Sequence, residues 1–268
     1  MPVGNITRGT TNPNRLRRVD RWISALPVLR HTDDPLVVDL GFGASAVTTV
    51  EFRERLLRVR PDVEVVGFEI DPARVESARA DVRRWGMADA HPPISFELGG
   101  FETPLPRARR ASVIRALNVL RQYDEADVPS AWSSMLAAVQ PDGVLVEGTC
   151  DEIGRVSTWI ALTPGSAGGP QSLTISLRLD QLEAPSIAAE RLPKALIHHN
   201  VAGDPVNKLM TDLDRWWAVH SALSAFGATQ RWLATVESMK ANGWPVLAGR
   251  TRWRLGEVTI AWDALGRA

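Results

Sequence analysis

The chain has 268 residues, enough to bury a large core in one α/β unit. Lys+Arg and Asp+Glu both number 31, so the formal net charge of +0 gives no overall field that would attract nucleic acid or an anionic membrane. A single cysteine, Cys150, excludes an intrachain disulfide and a cysteine-rich zinc site. Without a membrane-spanning apolar stretch or a signal peptide, we expect a cytoplasmic protein with no membrane partner. No metal is expected, because His198, His199 and Asp151 do not have the paired spacing of metal ligands.

The N-terminal region is predicted to form a polar arm followed by a helix. Residues 1–13 are polar, and Asn14 can cap a helix that runs to Leu26, with apolar residues on one face. The opposite face carries four arginines: Arg15, Arg17, Arg18 and Arg21. These arginines form either a solvated surface or one border of a substrate site, for which Arg15 is the candidate.

A buried strand with a glycine-rich end follows the N-terminal helix. The short apolar run at 36–40 is typical of a parallel strand that is covered on both faces. Gly41 and Gly43 allow a tight turn and a close approach of the backbone to a ligand. Residues 47–58 then have helical spacing. Asp39, at the end of the strand, needs a partner, which a positively charged ligand or backbone donors would supply.

The second strand ends in an acidic residue that is suited to binding a ribose. It closes with Glu69, whose carboxylate can accept two hydrogen bonds from a diol, and Asp71-Pro72 caps a helix over 72–84. The glycines at 41–46 also fit the dinucleotide fingerprint G-x-G-x-x-A, which alone is weakly specific. Because Asp39 would repel an NAD pyrophosphate, the pattern favours a cofactor with positive charge.

These segments resemble a known enzyme family. The run VVDLGFGAS at 37–45 resembles motif I of the class I S-adenosylmethionine-dependent methyltransferases, and VVGFEIDP at 65–72 resembles their ribose-binding strand end. Residues 93–104, 111–123 and 140–146 resemble the family's third, fourth and fifth strands in the same order. The whole chain is also similar to uncharacterised actinobacterial methyltransferases. The resemblance implies a methyltransferase that uses S-adenosylmethionine as its cofactor.

The resemblance implies a Rossmann-like, three-layer α/β sandwich. Its seven-stranded sheet has the order 3-2-1-4-5-7-6, with strand 7 antiparallel, and two β-rich runs at 157–163 and 172–179 give the expected hairpin. We expect an N-terminal arm and helix over 1–35 and a cofactor-binding core over 36–180. A mainly helical extension over 181–268 is expected to shape the acceptor pocket, although 244–262 fits either a helix or a strand.

Site residues follow from the matched motifs and from strand ends. The cofactor-binding candidates are Asp39, Gly41, Gly43, Ser45, Glu69, Ile70, Gly100, Phe101 and Asn118. Asn118, Asp151 and His199 are the candidate catalytic residues, the last two as bases. Tyr123, Glu147 and His198 join Arg15 as substrate candidates. Each has a plainer explanation as a loop cap, a solvated acid or a histidine at a helix end.

The acceptor is expected to be a small molecule or a glycan headgroup. A neutral chain with a long extension over the crevice favours a roofed pocket. DNA is not expected, because the sequence after the fourth strand reads Asn118-Val119-Leu120 and lacks the Asn/Asp-Pro-Pro-aromatic run of amino-group methyltransferases. One alternative is an RNA methyltransferase that uses the N-terminal arginine face. Another is a module that binds the cofactor without catalysis.

Overall fold

A computed structural model describes residues 2–6, 9, 11–165 and 168–266. The strands are β1 (Leu36–Leu40), β2 (Glu64–Glu69), β3 (Ile94–Leu98), β4 (Ala111–Leu117), β5 (Val139–Cys150), β6 (Val156–Thr163), β7 (Gly169–Leu177), β8 (Val246–Leu247) and β9 (Glu257–Ala261). They form one sheet in the order β3-β2-β1-β4-β5-β6-β7-β9-β8. β1 to β5 are parallel, and every later pairing is antiparallel. The predicted Rossmann-like α/β class is confirmed.

Helices cover both faces of the sheet. They are α1 (Arg17–Ile23), α2 (Pro27–His31), α3 (Val47–Leu57), α4 (Pro72–Arg84), α5 (Val128–Leu136), α6 (Lys194–Ile197), α7 (Pro205–Val219), α8 (Ala228–Ala241) and α9 (Arg250–Trp253). α4 begins where predicted, because the Asp71 carboxylate accepts a hydrogen bond from Ala73 N at 2.9 Å and Pro72 takes the first helical position. No described helix has the length and the apolar character needed to cross a membrane.

The core has two sides because neighbouring residues of a strand point to opposite faces. On β1, Val37 faces α1 to α3, where it packs with Phe52 and Leu56. Its neighbour Val38 faces α5, α7 and α8, in the larger apolar cluster that also contains Trp232. The result is a three-layer sandwich, with the carboxyl ends of β1, β2 and β4 at one edge.

The predicted strand order is wrong after the fifth strand. The expected order places strand 7 between strands 5 and 6, which needs a crossover connection. Here only residues 151–155 join β5 to β6, and a connection of five residues allows only an antiparallel hairpin. The sheet therefore continues β5-β6-β7, and β6 is the strand that runs antiparallel beside β5.

Two other predictions differ from the structure. The first helix begins at Arg17 instead of following Asn14, which has a positive φ of 59° and binds Arg55 through its side chain. The extension is helical over α7 and α8, but it also supplies β8 and β9, and β9 pairs with β7. Residues 244–262 thus contain two strands and a short helix. The division of the chain at residue 180 stays a prediction.

Candidate functional site

A glycine turn follows β1 at the carboxyl edge of the sheet. Gly41 and Gly43 have φ values of +70° and +87°, a conformation that glycine adopts without steric cost. Gly41 N donates a hydrogen bond to Phe68 O at 2.7 Å, which fixes the turn against the end of β2. Both glycines line a cavity of about 430 Å³. Ser45, one residue beyond Ala44, does not line this cavity among the described residues.

Glu69 lies beside this turn and is almost fully buried, with 2% of its surface exposed. Its Oε2 accepts a hydrogen bond from Gly43 N at 3.0 Å, and its Oε1 accepts hydrogen bonds from Ile70 N at 2.9 Å and Asp71 N at 3.4 Å. Arg74 Nη1 is 3.6 Å from Oε2. A carboxylate has about four acceptor positions, so these three hydrogen bonds orient Glu69 and leave one acceptor position, on Oε2 beside Arg74.

A second, small pocket lies at the ends of β2 and β3. Ile70, Gly100 and Phe101, which are predicted to bind the cofactor, line it together with Glu69 and with Tyr123, which is predicted to contact substrate. The Phe101 and Tyr123 rings pack with their centroids 5.2 Å apart. Apolar faces of this kind suit a flat heterocycle.

Residues 3–5 of the N-terminal arm cover this small pocket. Phe101 N donates a hydrogen bond to Val3 O at 2.9 Å, and a Cβ at Gly100 would lie 2.0 Å from that carbonyl oxygen. Asn5 N donates to the Tyr123 hydroxyl, which in turn lies 3.2 Å from Asn5 O. The remaining space is about 20 Å³, close to the volume of one water-sized sphere. An adenine ring therefore enters only when residues 3–5 move.

The larger cavity opens from the glycine turn toward the loops after β4 and β5. Its wall contains five charged side chains: Arg15, Asp39, Arg121, Glu152 and Arg191. Of the extension over 181–268, Arg191 is the one described residue in this wall. The N-terminal region contributes more, through residues 9, 11, 15 and 16. The extension therefore shapes this cavity less than the sequence predicts.

Asp39 already has a positive partner within the protein. Arg115, on β4, donates to Asp39 Oδ1 at 2.9 Å and to Oδ2 at 2.6 Å, and Thr49 Oγ1 donates to Oδ2 at 2.7 Å. Arg115 also pairs with Asp20, which Arg55 contacts at 2.6 Å. Burial lowers the pKa of Arg115, but the two carboxylates raise it more, so the guanidinium stays charged. The expected positively charged ligand is not needed to balance Asp39.

Asn118 connects the ends of β4 and β5 at the floor of the larger cavity. Its Oδ1 accepts a hydrogen bond from Cys150 N at 2.9 Å, and its Nδ2 is 3.2 Å from Cys150 Sγ. The φ of Asn118 is +63°, a left-handed conformation that asparagine tolerates better than most residues. Burial raises the pKa of the Cys150 thiol, so a reactive thiolate is not favoured.

Glu147 lies in the core and not at the crevice. β5 continues three residues beyond it to Cys150, so Glu147 is inside the strand and is fully buried. Neither of its carboxylate oxygens has a hydrogen-bond partner in the described part of the chain. Burial raises the pKa of Glu147 to about 8, against a smaller opposing effect of the nearby Trp132 indole. The prediction that Glu147 contacts substrate is not supported by this position.

The other predicted acid and the two histidines also lie outside the cavity wall. The Asp151 carboxylate accepts from Arg155 N at 2.8 Å and closes the β5-β6 turn. His199 bridges Glu125 at 2.8 Å and Asp204 at 3.3 Å, which ties the extension to the loop after β4. His198 is exposed at the end of α6. Turn and loop contacts explain the positions of Asp151 and His199.

The N-terminal arginines divide between two surfaces. Arg15 lines the larger cavity, and its Nε donates to Asp151 O at 2.9 Å. Arg17, Arg18 and Arg21 line a separate open cleft of about 630 Å³, which also contains arginines 55, 58, 178 and 254. Burial, followed by the neighbouring arginines 17 and 21, lowers the pKa of Arg18 to about 10.

Sequence reasoning missed Arg115, Arg121 and Arg191. A charged residue inside the apolar strand ASVIRAL signals a buried partner, so Arg115 was open to prediction. Arg121 lies three residues beyond Asn118 in the loop after β4. Arg191 ends a short 3₁₀ segment of the extension, and no local pattern indicates that it reaches the cavity.

No family model and no curated protein matches the chain. Similar solved structures include the mitomycin 7-O-methyltransferase MmcR (22% identity, TM-score 0.38, 50% of this chain and 35% of that one). An O-methyltransferase family protein from Burkholderia thailandensis has 17% identity and a TM-score of 0.38, over 50% and 37% of the two chains. The magnesium protoporphyrin IX methyltransferase from Synechocystis, solved with bound S-adenosylhomocysteine, has 16% identity and a TM-score of 0.38, over 50% and 53%. The chain therefore spans about half or less of the length of these proteins.

Proposed function

We propose that the chain is a methyltransferase that uses S-adenosylmethionine and methylates a small-molecule or glycan acceptor. The observation that carries this proposal is the buried Glu69 carboxylate at the end of β2, next to the Gly41–Gly43 turn. A carboxylate at this edge of a parallel sheet is suited to the two hydroxyls of a ribose. The antiparallel strands after β5 further favour this reading over an NAD-binding unit, in which βαβ connections would continue.

The residues fit the cofactor at both ends of the site. Ile70 and Phe101 offer apolar contacts to the adenine, and Glu69 Oε2 offers its remaining acceptor position to the ribose. The cavity of about 430 Å³ beyond Gly43 has room and polar groups for the amino-acid end. Binding requires that residues 3–5 leave the small pocket, since only about 20 Å³ remains beneath them.

When bound, the cofactor would supply a methyl group on a sulfonium, and the carbon–sulfur bond would break with both electrons going to sulfur as the acceptor bonds to the methyl carbon. The protein contributes mainly by holding the two reactants in line, which is a large part of catalysis in such displacements. Asn118 holds the ends of β4 and β5 at a fixed spacing beneath the cavity. Glu152, exposed in the wall, is the one described carboxylate there apart from the paired Asp39.

Calorimetry with S-adenosylhomocysteine and with NAD tests the proposal. We expect S-adenosylhomocysteine to bind the full chain and NAD to bind more weakly or not at all. Replacing Glu69→Gln removes a charge-assisted contact of about 1.5–3 kcal/mol, which corresponds to a roughly 10- to 100-fold loss of affinity. Glu97→Gln, on the exposed end of β3, is the matched control and should bind as the wild type does. Tighter binding of NAD would overturn the assignment.

RNA is a second candidate acceptor because of the arginine-rich cleft. Seven arginines surround it, and a row of phosphates would be attracted there. Five of them are already engaged. Arg17 and Arg18 donate to carbonyl oxygens of the β5-β6 turn, and Arg21, Arg55 and Arg178 pair with Glu257, Asp20 and Asp180 at 3.2, 2.6 and 3.7 Å. Transfer of labelled methyl groups to total RNA, with a steep loss at moderate salt, would favour RNA over a small acceptor.

A module that binds the cofactor without catalysis is the third reading. It is distinguished by turnover, since such a module would bind S-adenosylhomocysteine and transfer no label to either RNA or a small-molecule extract. The open cavity beyond Gly43 supports catalysis, because it leaves space for an acceptor beside the amino-acid end of the cofactor.

A further inference from the structure

The wall of the larger cavity carries an excess of positive charge. Arg15, Arg121 and Arg191 line it, against two carboxylates, Asp39 and Glu152. Arg115 balances Asp39 through two hydrogen bonds from outside the wall. Three guanidinium groups therefore share the wall with one carboxylate, Glu152, that Arg115 does not balance.

Two of these arginines have unused hydrogen-bonding capacity. A guanidinium has five N–H donors, and Arg121 uses one of its groups to donate to Glu190 O at 3.3 Å. Within the described part of the chain, no hydrogen bond or ion pair holds the Arg191 guanidinium. The backbone of Arg191 is fixed, since its carbonyl oxygen accepts hydrogen bonds from Thr149 and Thr158. Arg191 is thus an anchored residue with a free guanidinium.

The positive charges of the cavity arginines repel one another. Burial, and then the charges of Arg191 and Arg15, lower the pKa of Arg121. Like charges that share a cavity repel one another and are costly unless an anion enters between them. The loops that carry Arg121 and Arg191 meet at the Glu190 carbonyl, which places the two side chains at the same end of the cavity.

The proposed cofactor does not supply the missing negative charge. S-adenosylmethionine carries a sulfonium and an ammonium group against one carboxylate, so its entry adds further positive charge. Its carboxylate can occupy one guanidinium at most in a bidentate manner. A second ligand that carries a negative charge would balance Arg121 and Arg191.

We propose that the acceptor is a small acid whose carboxylate or phosphate group binds Arg121 and Arg191, an inference that rests on the methyltransferase function proposed above. Guanidinium groups match both of these anions through paired N–H donors. Binding of the anionic group to these arginines positions the acceptor beside the methyl group. A neutral acceptor of the same shape would leave the arginines unbalanced and bind poorly.

Calorimetric titrations with three ring compounds test this inference on the full chain. Benzoate and phenyl phosphate carry the two candidate anions, and benzamide is the neutral comparator. Each is titrated into protein with and without saturating S-adenosylhomocysteine. The variants are Arg191→Gln and Arg121→Gln, with Arg58→Gln as the control, because Arg58 is an exposed arginine of the separate cleft.

We expect at least one acid to bind the wild type and benzamide not to bind. Each cavity variant should weaken the binding of that acid by roughly tenfold, whereas the control leaves it unchanged. Preference for benzoate or for phenyl phosphate identifies the anion. The inference is overturned if benzamide binds as well as the acids, if neither acid binds, or if Arg191→Gln binds as the wild type does.

The titration with S-adenosylhomocysteine alone separates the two proposals. Its failure on the wild type contradicts the methyltransferase function, whatever the acids do. If S-adenosylhomocysteine binds normally but the protein shows no preference for acids, only the proposal of an acidic acceptor is contradicted. The acid titrations without S-adenosylhomocysteine test the nature of the acceptor whether or not S-adenosylhomocysteine binds.

Discussion

Asp39 and Arg115 are register partners on the neighbouring parallel strands β1 and β4, and two hydrogen bonds of 2.9 and 2.6 Å join their side chains. Both side chains are almost completely buried. Arg115 continues to Asp20 on α1, so one guanidinium links two strands and a helix beneath the glycine turn. The position of the turn therefore depends on a buried network of charges.

Replacement of Arg115→Met should strongly destabilise the protein. It leaves Asp20 and Asp39 buried without their main partner, and the loss of one member of a buried pair costs about 3–5 kcal/mol. Chemical denaturation measures the change in the free energy of unfolding. Arg83→Met, which breaks an exposed pair with Glu76, is the control and should unfold near the wild-type midpoint. Equal midpoints for the two variants would contradict this role of the network.

Glu147→Gln should make the protein more stable in mildly alkaline solution. The pKa of Glu147 is raised by burial from 4.5 to about 8, so the folded state keeps a proton that the unfolded state has already lost. The stability linked to this group is complete below about pH 4.5 and declines as the pH rises toward 8. The variant lacks that decline. Denaturation at several pH values checks this, and parallel curves for the two proteins would refute it.

Removal of residues 1–6 should strengthen binding of S-adenosylhomocysteine. The arm makes hydrogen bonds to Phe101 and Tyr123 that the cofactor must break before its adenine enters. Each bond is worth about 0.5–1.5 kcal/mol, so the shortened chain should bind several-fold more tightly and associate faster. Stopped-flow binding measures both quantities. Weaker binding would instead mean that the arm forms part of the occupied site.

Asn118 provides a comparison between side-chain loss and backbone strain. Asn118→Gly and Asn118→Ala both remove the hydrogen bond to Cys150 N. Only the alanine variant must hold a left-handed φ of +63° with a Cβ, which costs about 1–2 kcal/mol more. The alanine variant should therefore unfold at lower denaturant concentration than the glycine variant. Similar midpoints for both would show that the loop relaxes.

The parts of the fold that depend on residues close together in the sequence were predictable. The helix over 72–84 follows from Asp71-Pro72, and the buried strand before Gly41 follows from its apolar run. The pairing of Asp39 with Arg115 was not predictable. Arg115 is 76 residues away in the sequence and contacts Asp39 only because of the register of β1 and β4. The same holds for Arg191, which reaches the cavity from the extension.

The hairpin after β5 shows how one short connection decides the topology. The β-rich runs were visible in the sequence, but their order depends on the five residues 151–155, which cannot cross over another strand. Within those residues the Asp151 carboxylate binds the backbone of the turn, which accounts for an acid that resembled a candidate base.

The two-residue strand β8 forms one exposed edge of the sheet. A long sheet with an open edge is a template on which another chain can add a strand, and such addition leads to aggregation. β8 presents only Val246 and Leu247 at that edge, directly after Pro245, which has no N–H group to donate. The extension thus ends the nine-stranded sheet with an edge too short to recruit a foreign strand, which lowers the tendency of this edge to aggregate.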